Sequence, residues 1–107
     1  MRPVVHRDLV AAGRALLPVP PICRTAHIAT LIARSQAADK YRKRLGKSHP
    51  DWGEGSLLSC ARQHPQPQEP SLSNPDYAQA LSSVLAELVQ SLPPCTSDTE
   101  LQRWVKL

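Results

Sequence analysis

The side chains best suited to chemistry form two cysteine–histidine pairs. In each pair, Cys23 with His27 and Cys60 with His64, the histidine follows the cysteine by four positions. On a helix this spacing places both side chains on one face, a single turn apart. Two such pairs on facing helices could supply the four ligands of a tetrahedral zinc site. The spacing differs from those of common zinc fingers, however, and buried cysteines often serve packing alone. We therefore expect no metal site and no cofactor.

Residues suited to covalent or acid–base catalysis are present, but they follow no recognisable pattern. No serine has the flanking glycines of a nucleophile elbow, and the nine Asp and Glu residues are scattered rather than paired. His49 lies close to Asp51, but this pair belongs first to a turn. The segment Gly53-Glu54-Gly55 lacks the preceding strand and the following Gly-Lys of a phosphate-binding loop. We expect a protein that is not an enzyme and assign no catalytic residue.

The most prominent sequence feature is a run of positive charge near the middle of the chain. Five cations occupy eight positions: Lys40, Arg42, Lys43, Arg44 and Lys47. They lie at the predicted C-terminal end of a helix, where each cation complements the helix dipole by about 0.3–1 kcal/mol. The run is compatible with a solvated helix end, with a contact to nucleic-acid phosphates, or with a contact to an acidic protein. Tyr41 could stack on a base, and Tyr41 and Leu45 are expected to pack inward.

Charge is distributed unevenly along the chain. Residues 1–50 hold ten Lys and Arg and two Asp, a net charge of +8. Residues 51–107 hold three Lys and Arg and seven Asp and Glu, a net charge of −4. A chain polarised in this way can fold its halves against each other or present a basic face to an acidic partner. The sequence leaves both interpretations open.

A tightly specified turn follows the basic run. Its residues are His49, Pro50, Trp52, Gly53 and Gly55. Pro50 restricts the residue before it to extended backbone, and the two glycines can adopt positive φ. Asp51 can hydrogen-bond back to the main chain. We expect Trp52 to be a packing anchor that covers a helix pair rather than a platform for a ligand.

The hydrophobic periodicity predicts an all-α fold, a small bundle of four or five helices with proline-rich connectors. The first helix is expected to follow an N-cap at His6 and to end before Pro18. The second is expected to extend from about residue 21 to residue 45, with Gly46 as its left-handed C-cap. The apolar stripe of this helix drifts, with residues 22, 26, 29, 32 and 33 on one side and residues 38, 41 and 45 nearly opposite. We expect its two halves to pack against different neighbours.

Three further helices and one linker are predicted after the turn. Ser56 is expected to cap a short helix that ends near Ala61, and residues 65–73 are expected to form a proline-rich linker. Asn74 is expected to start the clearest amphipathic helix. Its predicted inward face comprises Tyr77, Leu81, Val84, Leu85, Leu88 and Leu92. Residues 93–107 are predicted to form a C-terminal capping helix, since Ser97 and Glu100 match a capping box.

The chain length fits one helical domain over residues 1–107. Three cysteines without a C-x-x-C spacing suit reduced thiols better than a disulfide framework. Charged residues interrupt the N-terminal segment, so it lacks the apolar centre of a signal peptide. No run approaches the roughly 20 apolar residues that span a membrane. We expect a cytoplasmic protein with no membrane contact.

The segment A-A-D-K-Y-R-K-R-L-G-K-S-H-P-D-W-G-E-G-S-L, residues 37–57, resembles the central signature of a family of short bacterial proteins of unknown function. The opening R-P-V-V-H-R-D-L-V-A-A and the later P-S-L-S-N-P-D-Y-A are similar to the flanks of the same family. The resemblance extends to about residue 92 and leaves residues 93–107 as an addition. It implies a small single-domain protein and transfers no catalytic residue to this chain.

These features predict a non-enzymatic binding or regulatory module. The expected contact with a macromolecular partner is the basic helix end between residues 40 and 47, and nucleic acid and an acidic protein are both candidate partners. The alternative is a protein-interaction adaptor or homodimer without a nucleic-acid role. Its contact would be an apolar groove formed by the helix of residues 77–92 or by the helix that contains Trp104.

Overall fold

A computed structural model describes residues 1–91, and within them the fold is all-α, as predicted. Four helices follow one another along the chain: α1 His6–Leu16, α2 Arg24–Leu45, α3 Leu57–Ala61 and α4 Pro75–Ser91. A 3₁₀ turn over Pro21–Cys23 leads into α2. No β-strand occurs in this part of the chain. The helix predicted for residues 93–107 lies outside the described residues.

Asp8 holds the N-terminal ends of two helices. The N-cap of α1 is Val5, so the prediction of His6 is wrong by one residue. Oδ2 of Asp8 accepts a hydrogen bond of 2.8 Å from the Val5 N–H, which fixes the helix start at that position. Its Oδ1 accepts a second bond of 2.8 Å from the Leu58 N–H in the first turn of α3. This buried carboxylate therefore satisfies amides at two helix N-termini, where negative charge is favoured.

α2 buries one continuous face, and the apolar stripe predicted for it is only partly correct, since Ile32 and Ala38 are buried whereas several other members are exposed. Gly46 ends the helix in the left-handed conformation with φ 73°, as predicted. The buried residues recur at helical spacing: Arg24, Ile28, Leu31, Ile32, Ser35, Ala38 and Asp39. By contrast, Ile22 is 92% exposed, and Ala26 and Ala33 are also exposed. Because the buried face includes the polar residues Arg24, Ser35 and Asp39, a pattern of apolar residues alone does not predict it.

Arg24 is the largest fully buried side chain and connects three parts of the fold. Its Nε donates to the carbonyl oxygens of Leu16, at 3.0 Å, and Val19, at 3.1 Å. Its Nη1 forms an ion pair of 2.8 Å with Asp76 and a hydrogen bond of 2.6 Å with Oε1 of Gln79. Arg24 thus satisfies carbonyls at the C-terminal end of α1 and joins them to the beginning of α4.

The caps predicted for α3 and α4 are confirmed. Oγ of Ser56 accepts a hydrogen bond of 3.1 Å from the Ser59 N–H at the start of α3. Oδ1 of Asn74 accepts bonds of 2.9 and 3.3 Å from the N–H groups of Asp76 and Tyr77. Both side chains satisfy amides that have no partner within their own helix.

The inward face of α4 agrees with the prediction except at one leucine. Its buried residues are Tyr77, Ala80, Val84 and Leu88. Leu81 is half-buried. Leu85 is 49% exposed, so its predicted burial is wrong: the buried stripe passes through the small Ala80 and leaves Leu85 at its edge. Leu92 lies outside the described residues.

The core lies where the four helices meet, and it is mostly aliphatic, with Tyr77 as its buried aromatic residue. Its fully buried members include Leu16, Ile28, Leu31, Leu57 and Val84. The predicted linker at residues 65–73 contains no helix. Side-chain hydrogen bonds hold its first part against α1 and α3. The last turns of α2 are different, since that helix has no buried residue after Asp39 and therefore extends beyond the core.

Candidate functional site

The structure divides the five predicted cations at the end of α2 into two groups. Arg42 and Lys43 both pair with Asp39, with N–O distances of 3.0 and 3.1 Å. Within residues 1–91, no carboxylate oxygen lies within 4.0 Å of the cationic nitrogens of the other three. We refer to these three residues, Lys40, Arg44 and Lys47, as the basic helix end. All three are exposed.

Asp39 anchors this part of α2. Its buried carboxylate forms ion pairs with Arg42, Lys43 and the α-amino group of Met1, the last at 3.2 Å. Burial alone raises the pKa of Asp39, but the hydrogen bonds from Lys43, Arg42 and the amino group hold it well below its usual range. The spacing of Asp39 to these two side chains, i+3 and i+4, is by itself a sequence signal of this ion pairing.

Beside the basic helix end, α2 carries a groove with an apolar floor. The groove has a volume of about 380 Å³, and it is lined by Ala37, Lys40, Tyr41, Arg44 and Leu45. Tyr41 is half-buried. Leu45 is 53% exposed, so its predicted inward packing is wrong, because this end of α2 extends past the core. The groove therefore combines accessible apolar surface with two cations that have no carboxylate partner within residues 1–91.

The turn after α2 is a loop closed by its own backbone. The His49 N–H donates to the Gly53 carbonyl at 2.8 Å, and the Gly53 N–H donates back to the His49 carbonyl at 3.1 Å. Nδ1 of His49 accepts hydrogen bonds from the N–H groups of Asp51 and Trp52, at 3.0 and 3.1 Å. The Asp51 side chain was predicted to hydrogen-bond to the main chain of the turn. In the structure the His49 ring accepts the main-chain hydrogen bonds instead. Pro50 lies exposed between them.

An aromatic cluster holds this turn against α2. The rings of His49 and Trp52 are nearly parallel, with centroids 4.5 Å apart and an interplanar angle of 5°. Tyr41 meets His49 edge to face at 4.8 Å, and the Arg34 guanidinium lies 5.8 Å from the centroid of the Trp52 ring. Trp52 is half-buried, and it contacts His49 of the turn and Arg34 of α2. The cluster places the groove and the turn next to each other on one surface.

Gly55 allows the turn to approach α2 closely. Its φ is 99°, and a Cβ at this position would lie 2.7 Å from the Cα of Asp39. Its carbonyl accepts a hydrogen bond of 2.9 Å from the Arg2 N–H. Gly53 also has a positive φ, 84°. The N-terminal segment, the turn and Asp39 therefore meet at one point behind the basic helix end.

The two cysteine–histidine pairs come together only in part. The rings of His27 and His64 are in edge-to-face contact with centroids 5.2 Å apart, whereas Cys23 is exposed and Cys60 is buried. Burial, with smaller effects of His64 and Arg34, lowers the pKa of His27. In residues 1–91, no group of three or more His, Cys, Asp or Glu side chains is placed to hold a metal ion. The four-ligand zinc arrangement is not formed in the described part of the chain.

The fold and this surface define a small all-α domain with an exposed basic helix end. The chain belongs to a family described as a domain of unknown function (DUF7742), whose model matches residues 2–88. The match includes both the basic run and the turn, and it agrees with the predicted membership of a family of unknown function. No curated protein and no solved structure matches the chain. Within residues 1–91, no helix is long and apolar enough to cross a bilayer.

Proposed function

We propose that this chain is a non-enzymatic module that binds single-stranded nucleic acid through the basic helix end and the adjacent groove. The observation that carries the proposal is the groove itself, in which Lys40 and Arg44 flank the apolar surface of Tyr41 and Leu45. The predicted bacterial origin and cytoplasmic location would bring such a module into contact with DNA and RNA.

The charges at this site suit a phosphate backbone. Lys40, Arg44 and Lys47 have no ion-pair partner within residues 1–91, so binding does not require that an internal ion pair be broken. Each cation that neutralises a phosphate releases condensed counterions, which favours binding at low salt. Arg42 and Lys43 contribute less to binding in this account, because Asp39 already pairs with both.

The apolar floor of the groove favours a single strand over a duplex. Bases that are not paired expose their faces, and they stack on aromatic side chains without sequence preference. Tyr41 is the aromatic side chain of the groove, and it lines the groove together with the two cations. A duplex would offer its phosphates to the cations but would leave Tyr41 and Leu45 without a partner.

The proposal can be tested by fluorescence anisotropy with a short labelled single strand and with the matching duplex, at low and at moderate salt. The test variant is Lys40→Ala/Arg44→Ala, which we expect to lower the affinity for the single strand by about tenfold or more at low salt. The matched control is Arg7→Ala/Arg62→Ala, which removes the same net charge from exposed positions away from the groove and should retain the affinity for a strand without a terminal phosphate.

Two results would contradict this proposal. Equal losses in the two double variants would show that net charge, rather than the groove, determines binding. Absence of binding by the wild-type protein to either nucleic acid would exclude the proposal. In that case, binding of an acidic polypeptide that is lost only in Lys40→Ala/Arg44→Ala would assign the basic helix end to an acidic protein partner.

A second candidate function has its own support on α4. An apolar groove of about 580 Å³ runs along the outer face of this helix, and it is lined by Leu72, Ala78, Leu81, Ser82, Leu85, Ala86 and Val89. Leu72 and Val89 are 71% and 74% exposed. Such a surface favours the predicted homodimer or adaptor. Sedimentation velocity tests the dimer: a mass that rises with protein concentration and returns to the monomer in Leu85→Asp/Val89→Asp supports it, whereas a monomer at all concentrations excludes it.

A further inference from the structure

A second basic surface lies away from α2, where α1, α3 and the linker enclose a pocket of about 260 Å³. We refer to it as the arginine pocket. Its lining includes Arg7, Arg14, Leu58, Arg62, Gln66 and Glu69. None of these residues belongs to the basic helix end. The arginine pocket is therefore a separate candidate site.

One wall of the arginine pocket is fixed by hydrogen bonds. Arg14 donates from Nε to the Pro67 carbonyl at 2.6 Å and from Nη2 to the Gln66 carbonyl at 3.1 Å. Nε2 of Gln66 in turn donates to the carbonyls of Ala11, at 3.2 Å, and Ala61, at 3.1 Å. These bonds hold the linker against α1 and α3, so the pocket is largely formed before any ligand arrives. Preorganisation of this kind lowers the entropic cost of binding.

The charges of the arginine pocket are unbalanced. It contains three guanidinium groups and one carboxylate, that of Glu69. Arg7 and Arg62 are exposed and have no carboxylate within 4.0 Å among residues 1–91. Glu69 accepts a hydrogen bond of 3.0 Å from the Tyr77 hydroxyl, so its oxygens are already partly used.

The position of Arg7 adds to this imbalance. Arg7 lies in the first turn of α1, where the helix dipole disfavours a cation. A bound anion would relieve this unfavourable interaction and would neutralise part of the excess positive charge of the pocket.

We infer that the arginine pocket binds a small phosphate group, either free phosphate or a phosphate monoester. Guanidinium groups bind tetrahedral oxyanions through paired, charge-assisted hydrogen bonds, and arginine is the usual residue at such sites. The volume is slightly below the 300–1,000 Å³ typical of pockets for drug-sized ligands, which suits a phosphate with at most a small organic group. Leu58 and the aliphatic side of α1 would contact that group. This inference is independent of the proposed function, because the two sites share no residue.

The inference can be tested with inorganic phosphate and with ribose 5-phosphate, titrated into the ¹⁵N-labelled full chain at constant ionic strength maintained with chloride. We expect saturable chemical-shift changes centred on residues 6–14 and 58–69. Arg7→Ala/Arg62→Ala should weaken binding of both compounds by about tenfold or more, since each arginine supplies charge-assisted hydrogen bonds. Arg7→Lys/Arg62→Lys keeps the charge but not the paired geometry and should bind with intermediate affinity. Tighter binding of ribose 5-phosphate would assign a monoester, and tighter binding of inorganic phosphate would assign the free anion.

The control is Lys40→Ala/Arg44→Ala, which should bind both compounds like the wild type. Arg7 and Arg62 are exposed, so we expect Arg7→Ala/Arg62→Ala to fold like the wild type. An unchanged amide spectrum for residues away from the pocket verifies the fold. Shifts that grow linearly without saturation, shifts centred on residues 40–47, or wild-type affinity in Arg7→Ala/Arg62→Ala would each overturn the inference. The inference and the proposed function can fail independently. If the wild-type protein binds nucleic acid but not phosphate, only this inference fails; if it binds phosphate but not nucleic acid, only the proposed function fails.

Discussion

Single buried polar residues determine much of this fold, and Arg24 is the clearest example. It is 1% exposed, yet it makes hydrogen bonds or ion pairs with residues of α1, the connector and α4. A sequence pattern that assigns charged residues to the surface cannot identify such a position, because burial of a charge becomes acceptable only when several partners converge on it. The convergence is a property of the tertiary fold.

We expect Arg24→Met to lower the free energy of unfolding by about 3 kcal/mol. Methionine fills similar space but leaves the carbonyls of Leu17 and Val19 without the Arg24 donor, and unsatisfied buried acceptors cost about 1–3 kcal/mol each. Urea unfolding followed by circular dichroism measures the change. Arg44→Met is the control: Arg44 is exposed near the C-terminal end of α2, and the same substitution there should cost less than about 1 kcal/mol. A loss below about 1 kcal/mol in Arg24→Met would show that Arg24 is not a structural connector.

Asp39 predicts a dependence of stability on pH. Because its pKa is lower in the folded protein than the ordinary value of 3.8, the ionised carboxylate stabilises the fold above that pH, and this stabilisation is lost as the pH falls below it. Asp39→Asn should therefore be less stable than the wild type by about 2 kcal/mol at neutral pH. The difference should shrink progressively at pH values below about 4. Urea unfolding at pH 7, 5 and 3 measures it. A difference that stays constant over this range would contradict the ion-pair role of Asp39.

At the scale of the elements, the ends of helices were more predictable than their buried faces. Gly46, Ser56 and Asn74 act at short range, through a left-handed backbone or a hydrogen bond within three residues. These helix ends can therefore be predicted from the neighbouring residues in the sequence. The buried face of α2 depends instead on which neighbours it meets, and it includes Arg24 and Asp39, which no apolar pattern indicates.

The candidate site shows the same division between local and tertiary causes. The five cations and the turn were predicted by their residue types. The pairing of two cations with Asp39 follows from helical spacing and could have been predicted. The exposure of Leu45 could not have been predicted from the sequence, because this exposure depends on how far α2 extends past the core. The arginine pocket is also a tertiary feature, since Arg7 and Arg62 are 55 positions apart in the sequence.

Two glycines with positive φ, Gly46 at the end of α2 and Gly55 in the turn, allow a comparison between backbone strain alone and strain with a steric clash. A Cβ on Gly46 would meet no atom within 4 Å, whereas a Cβ on Gly55 would lie 2.7 Å from the backbone of Asp39. Gly46→Ala should therefore cost only the left-handed backbone strain of about 1–2 kcal/mol. Gly55→Ala adds a clash with main-chain atoms and should cost clearly more. Thermal unfolding of both variants tests the order, and equal losses would contradict the close approach of turn and helix.

At the scale of the whole molecule, both interpretations of the uneven charge have support. Two ion pairs within residues 1–91, Arg24 with Asp76 and Arg2 with Glu54, join the basic half to the acidic half. The basic helix end and the arginine pocket nevertheless keep cations without a carboxylate partner in the described residues. Part of the excess charge thus joins the two halves, whereas five exposed cations keep no carboxylate partner within residues 1–91: Arg7, Lys40, Arg44, Lys47 and Arg62.

The dependence of single-strand affinity on salt tests the central claim most directly. Three phosphate contacts predict a slope of about −2 for the logarithm of the association constant against the logarithm of salt concentration, since each contact contributes about −0.7 for single strands. Lys40→Ala/Arg44→Ala removes two contacts and should reduce the slope to about −0.7. A slope that is the same in wild type and variant, or a wild-type slope near zero, would contradict binding through the basic helix end.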